Sequence, residues 1–154
     1  MPTKVYSTKD TVPPSTSGTG TVTTVGAKFT TSADNQLVVG DWVYNGSGEW
    51  RKVVRVDDAT TGFLAESFTS DLSGASLEIV KKNDAKVSSI GISADQGADV
   101  PVIFNDGTSA TIKSGSSVNY NASDKIGGEF VTPVEVDGAT GSATILYVTK
   151  GKDY

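Results

Sequence analysis

Few residues in this sequence combine into groups that could do chemistry, and spacing decides among them. Asp57-Asp58 is an adjacent acid pair. Neighbours on a strand point to opposite faces, so the two carboxyls would not cooperate across one substrate. Aspartates at such a place suit a turn, and that role is expected here. Asn105-Asp106-Gly107-Thr108 has an acid-protease flavour, but its order is wrong and it has no second copy. It reads as a hairpin turn. Asp95-Gln96-Gly97-Ala98-Asp99 offers two carboxylates to a Ca²⁺ that wants roughly six to eight oxygens, so a plain loop is expected. Arg51, Lys52 and Arg55 form a small basic cluster on one strand, and alternation puts Lys52 opposite the two arginines. Solvated charge, or a salt bridge to a neighbouring subunit, is the chemistry available to them.

The sequence contains no Cys and no His. Disulfides, thiolate nucleophiles, Cys/His zinc sites and serine–histidine triads are therefore excluded. Acid–base work near neutral pH would fall to tuned carboxylates, Lys or Tyr. No catalytic residue, metal ligand or cofactor site is identified, and a non-enzymatic role is expected. Asn45-Gly46-Ser47 and Asn121-Ala122-Ser123 match the glycosylation pattern, but Ser and Thr are so frequent that chance matches are expected. The N-terminus has no apolar core of a secretory leader, and none is expected.

Candidate contact residues fall in two places. Trp42, Tyr44 and Trp50 flank one hairpin. They are read first as packing, with an exposed patch for carbohydrate or protein as the alternative. Lys4, Val5 and Tyr6 form a short strand-like run ahead of the breaker Pro13-Pro14. Residues 1–17 are accordingly expected to be an extended arm, its strand completed against a neighbouring subunit or simply frayed.

The elements that would position these residues are strands. Among 154 residues are 19 Thr, 18 Ser and 17 Gly, a composition that suits strands and turns and disfavours helix. Aromatic and β-branched residues recur at core-like spacing, so a packed core is expected. Net charge is −5 and the pI about 4.6, which disfavours nucleic acid as the main partner. No apolar run approaches the roughly 18 to 20 residues of a membrane span.

From Gly18 to Lys82 the strand signals are close together. Val22, Val25, Phe29 and Val43 are expected inside, and Asn45-Gly46 signals a tight turn after a strand over 37–44. This stretch, 18–82, reads as a small SH3-like or related barrel. In Val39-Gly40-Asp41-Trp42-Val43, Gly40 permits a turn conformation and Asp41 can cap the bend. The charged step Lys81-Lys82-Asn83-Asp84 marks the boundary. Residues 83–154 carry a further set of Gly-punctuated strands and read as a β-sandwich or jelly-roll-like module.

The succession Gly18-Thr19-Gly20-Thr21-Val22, Phe29, Val39-Gly40-Asp41-Trp42-Val43, Arg51-Lys52-Val53-Val54, Leu64-Ala65-Glu66-Ser67-Phe68 and Leu72-Ser73-Gly74-Ala75 resembles a β module of structural proteins of tailed bacteriophages. The resemblance covers residues 18–82 and supplies no catalytic residues. It implies a virion protein, assembled in the bacterial cytoplasm in many copies or as a homo-oligomer. A capsid-associated auxiliary or decoration protein, bound to the major capsid protein of the assembled head, is the first expectation. A tail, baseplate or fibre component that recognises host surfaces or glycans is the alternative.

Overall fold

The computed structural model describes residues 3–6, 9–12, 15–82, 87–94, 99–103, 109–121, 134–137 and 143–149, and every element among them is a strand, turn or loop. The fold is all-β, as the composition requires. It divides into two compact units, residues 15–82 and residues 1–14 with 83–154.

Residues 15–82 form a closed six-stranded barrel. Its strands are β3 (Thr16–Val25), β4 (Lys28–Thr31), β5 (Trp42–Tyr44), β6 (Trp50–Val56), β7 (Thr61–Leu64) and β8 (Ala75–Val80). They are ordered β3-β4-β7-β6-β5-β8 around the wall, with β8 closing on β3. Alternation turns Val22, Phe29, Val43, Val53, Leu64, Leu77 and Ile79 inward, and Leu37 and Phe68 close the ends. A wall this tight needs a residue without a Cβ where strands approach most closely. A Cβ on Gly62 would run into the Arg55 carbonyl oxygen and stand 2.6 Å from the Phe29 ring.

Three local expectations change in the barrel. The strand foreseen over 37–44 begins only at Trp42, and residues 34–41 are a loop. Gln36 (φ 56°) and Gly40 (φ 103°) lie in the left-handed region, which breaks the extended run. The Asn45-Gly46 turn is a longer loop in which Asn45 N–H donates to Glu49 O at 3.0 Å. The Asn45 side-chain oxygen also accepts from Ser47 N–H and Glu49 N–H. Arg51 and Arg55 do not share a face, because β6 is bulged between Val53 and Arg55 and the alternation flips there. Arg51 stands opposite the core residue Val43, whereas Arg55 lies over Phe63, 4.1 Å from the ring centre.

The other unit consists of two four-stranded antiparallel sheets. One is ordered β1 (Thr3–Tyr6), β14 (Ala143–Thr149), β9 (Val87–Ala94), β12 (Ser117–Asn121). The second is ordered β11 (Ser109–Ile112), β10 (Val100–Ile103), β13 (Val134–Asp137), β2 (Lys9–Val12). Ile92 and Ala94 from one, and Val12, Val100, Val102, Ile112 and Val136 from the other, are buried. The hairpin foreseen at residues 105–107 joins β10 to β11, with Ile103 opposite Ser109, although its turn lies outside the described residues.

The arm expected over residues 1–17 is the main correction. Residues 3–6 pair with β14, Lys4 opposite Ile145, and residues 9–12 pair with β13, Val12 opposite Val134. Each of these short runs therefore completes the edge of a different sheet within its own chain. Thr11 and Val12 are fully buried, which a free arm would not allow. Residues 16 and 17 belong to β3 of the barrel. The barrel is thus an insertion between β2 and β9 rather than the first of two domains in sequence. Its entry and exit lie side by side, Thr16 opposite Ile79, and Glu78 accepts hydrogen bonds from Ser15 and Ser17 across them.

Candidate functional site

The hairpin β5–β6 holds three of the eight candidate contact residues, Trp42, Tyr44 and Trp50, together with Arg51, Lys52 and Arg55. Val43 points into the core, and Trp42 and Tyr44 therefore point out of the barrel, with Tyr44 opposite Trp50 and Trp42 opposite Lys52. All three aromatics are nonetheless buried, Trp42 at 8%, Tyr44 at 3% and Trp50 at 2% exposure. They pack rather than present an open platform, which removes the exposed patch considered for carbohydrate. Among the described residues, the Trp50 indole N–H is buried without a hydrogen-bond acceptor.

One end of the hairpin is tied by Asp41. Its carboxylate is completely buried and accepts from Val38 N–H at 3.0 Å, Lys82 N–H at 2.9 Å and the Lys81 ammonium at 3.2 Å. Asp41 thus caps the bend as its position suggested. It also fastens the end of β8 to the loop before β5, a link between residues forty positions apart that spacing did not reveal. Gly40 N–H donates to Val53 O and Val53 N–H to Asp41 O, continuing the β5–β6 ladder into the loop. Val38, Val39 and Val54, one or two residues from those bonds, are about half exposed.

The other end is tied by Glu49. Its carboxylate accepts from Arg51 at 3.0 Å, from the Asn45 amide at 3.2 Å and from the Thr69 N–H and hydroxyl. Arg51 lies over Phe68, 5.4 Å from the ring centre, and donates to Ser67 O at 3.1 Å. The network joins the hairpin loop to residues 67–69, so Glu49 and Arg51 hold Phe68 in the barrel end. Sequence reading missed Glu49, whose only clue was its place four residues after Asn45.

The remaining acids also serve the frame. Asp57 forms a two-toothed pair with Arg55 at 2.8 and 3.2 Å. This hydrogen bond and charge raise the arginine above its ordinary pKa. Asp58 accepts from Thr60 N–H and Thr61 N–H, both at 2.9 Å, and these bonds hold its carboxyl below the usual range. The adjacent acids are thus a salt-bridge member and a turn cap, as expected of a turn. In the other unit, Asp99 accepts from Ser114 N–H at 3.0 Å and Lys113 at 3.3 Å, which lowers its pKa in turn. Asp95, Gln96, Gly97 and Ala98 lie outside the described residues. Among the described residues, no group of three or more acidic side chains is gathered as a metal site.

Lys4, Val5 and Tyr6 lie in β1, in a different unit from the hairpin aromatics, and Pro13 and Pro14 lie outside the described residues. The chain matches no family model, no curated protein and no solved structure.

Proposed function

We propose that the chain is a non-enzymatic structural protein of a tailed-phage virion, most specifically an auxiliary protein bound to the major capsid protein of the assembled head. The observation that carries this reading is the use of the barrel's acids. Asp41, Glu49 and Asp58 all accept from backbone amides or neighbouring side chains that hold loops in place. Such a surface is rigid before it meets a partner, which limits the ordering cost of association. A net charge of −5 favours many copies remaining dispersed until they assemble. The resemblance of residues 18–82 to phage structural modules supplies the particle. A tail, baseplate or fibre position is the second reading, and burial of Trp42, Tyr44 and Trp50 weighs against its glycan-binding form.

Immunogold labelling of purified particles with an antibody against the chain tests this. Gold over the head supports the auxiliary role, and gold confined to the tail or fibres supports the second reading. Absence of label from every particle, with a working antibody, overturns a virion role.

A further inference from the structure

The first twelve residues occupy an unusual place in the topology. β1 and β2 each supply four residues to a sheet edge, and each pairs with a single neighbour, β14 or β13. They belong to the two-sheet unit but are joined to the rest of it only through the whole barrel, residues 15–82. The sequence between β2 and β3 is only Pro13-Pro14-Ser15, a short connection with two prolines in it. Their docking site is built from the last strands of the chain, so it is completed only after everything between has been made.

A site with these properties does not distinguish its own N-terminal segment from that of a second copy. The contacts are identical: Lys4 opposite Ile145, Thr11 opposite Glu135, Val12 opposite Val134. The buried Thr11 and Val12 make an empty site costly, so one segment or another must fill it. We propose that residues 1–12 are an exchangeable element, and that two copies of this chain pair by donating β1 and β2 to each other. The inference stands on strand topology and is independent of the particle to which the chain belongs.

Because the contacts are equal, linker entropy decides between the closed monomer and the exchanged dimer. A short connection gives an effective concentration on the order of millimolar, and Pro13-Pro14 makes this one stiff rather than flexible. The monomer therefore dominates at micromolar concentration, and the exchanged form takes about half of the chains near millimolar. A surface on which many copies are crowded would favour exchange further.

The absence of Cys makes the test direct. Val5→Cys and Thr144→Cys are made in separate chains, since Val5 stands opposite Thr144. Lys4→Cys and Ile145→Cys form a second pair one residue along, so that one of the two pairs is of the closer, non-hydrogen-bonded kind. The two single variants of a pair are mixed in denaturant, refolded together over a range of concentrations, oxidised and run without reductant. Exchange predicts a cross-linked heterodimer of twice 15.9 kDa. Its share should rise from near zero at about 10 µM to about a quarter of the chains near millimolar, because random pairing puts only half of the exchanged dimers in the mixed form. The double variant in a single chain should give an internal bridge when dilute and a covalent dimer when refolded concentrated. Internal bridging at every concentration, with no heterodimer from the mixed single variants, overturns the proposal. An unmodified chain that stays at 15.9 kDa in sedimentation after refolding at millimolar concentration overturns it as well.

Discussion

Asp41→Ala isolates the clamp that holds the β5 entry against the end of β8. The carboxylate is completely buried, and its loss leaves the N–H groups of Val38 and Lys82 without their acceptor. A hydrogen bond to a charged acceptor contributes about 1.5 to 3 kcal/mol, and an orphaned donor costs about the same, so two such losses come to about 3 to 6 kcal/mol. The ion pair with Lys81 adds little, because that ammonium is 45% exposed, and Lys81→Ala should cost at most about 1 kcal/mol. Asp41→Asn keeps one acceptor and turns an NH₂ toward the other donor, so about 2 to 3 kcal/mol is expected. Both tryptophans of the chain lie in the barrel, so urea unfolding followed by their fluorescence reads this unit. An Asp41→Ala barrel within about 0.5 kcal/mol of the unmodified protein would refute the clamp. A Lys81→Ala loss as large as that of Asp41→Ala would refute the assignment of its strength to the backbone donors.

Three further outcomes follow from the same geometry. Gly62→Ala should cost the barrel about 1 to 3 kcal/mol by the same assay, since its Cβ meets the Phe29 ring and the Arg55 carbonyl. Val12→Ala should lower stability by about 2 kcal/mol in urea unfolding followed by circular dichroism, whereas a residue on a loose arm would change it by less than about 0.5 kcal/mol. The lowered pKa values of Asp58 and Asp99 stabilise the fold at pH above the ordinary aspartate value of 3.8. That contribution is lost as pH falls through the lowered values, so the urea midpoint should drop in that acid range. Asp58→Asn together with Asp99→Asn should flatten the drop, and carboxyl NMR titration should place both groups below 3.8.

Local signals in the sequence were strong where structure is local. The apolar alternation around Val22, Phe29 and Val43 identified inward positions of the barrel, whereas Val25, expected with them, is 74% exposed at the end of β3. Asn105-Asp106-Gly107 identified the β10–β11 connection. Turn chemistry likewise anticipated the capping roles of Asp41 and Asp58, because a short carboxylate beside a bend has backbone donors within reach. What escaped was long-range pairing. Lys4-Val5-Tyr6 read as a short strand, but Thr3–Tyr6 and Lys9–Val12 are four residues each, polar in part, and followed by two prolines, so nothing nearby shows that their partners lie in the same chain. Their partners are more than 120 residues away, and only the complete sheets reveal the vacancy they fill. The bulge in β6 escaped for a related reason. An extra residue in one strand is visible only against its neighbour, and it moved Arg55 to the face opposite Arg51.

The side-by-side entry and exit of the barrel also set how the chain would bear tension. Thr3 stands beside Leu146 in antiparallel array, and Thr16 stands beside Ile79 in the same way. A pull applied across either pair loads the ladder from one end and opens its bonds one after another, like a zipper, instead of shearing them together. Low force would therefore peel β1 from β14, then β2 from β13, and only afterwards part β3 from β8.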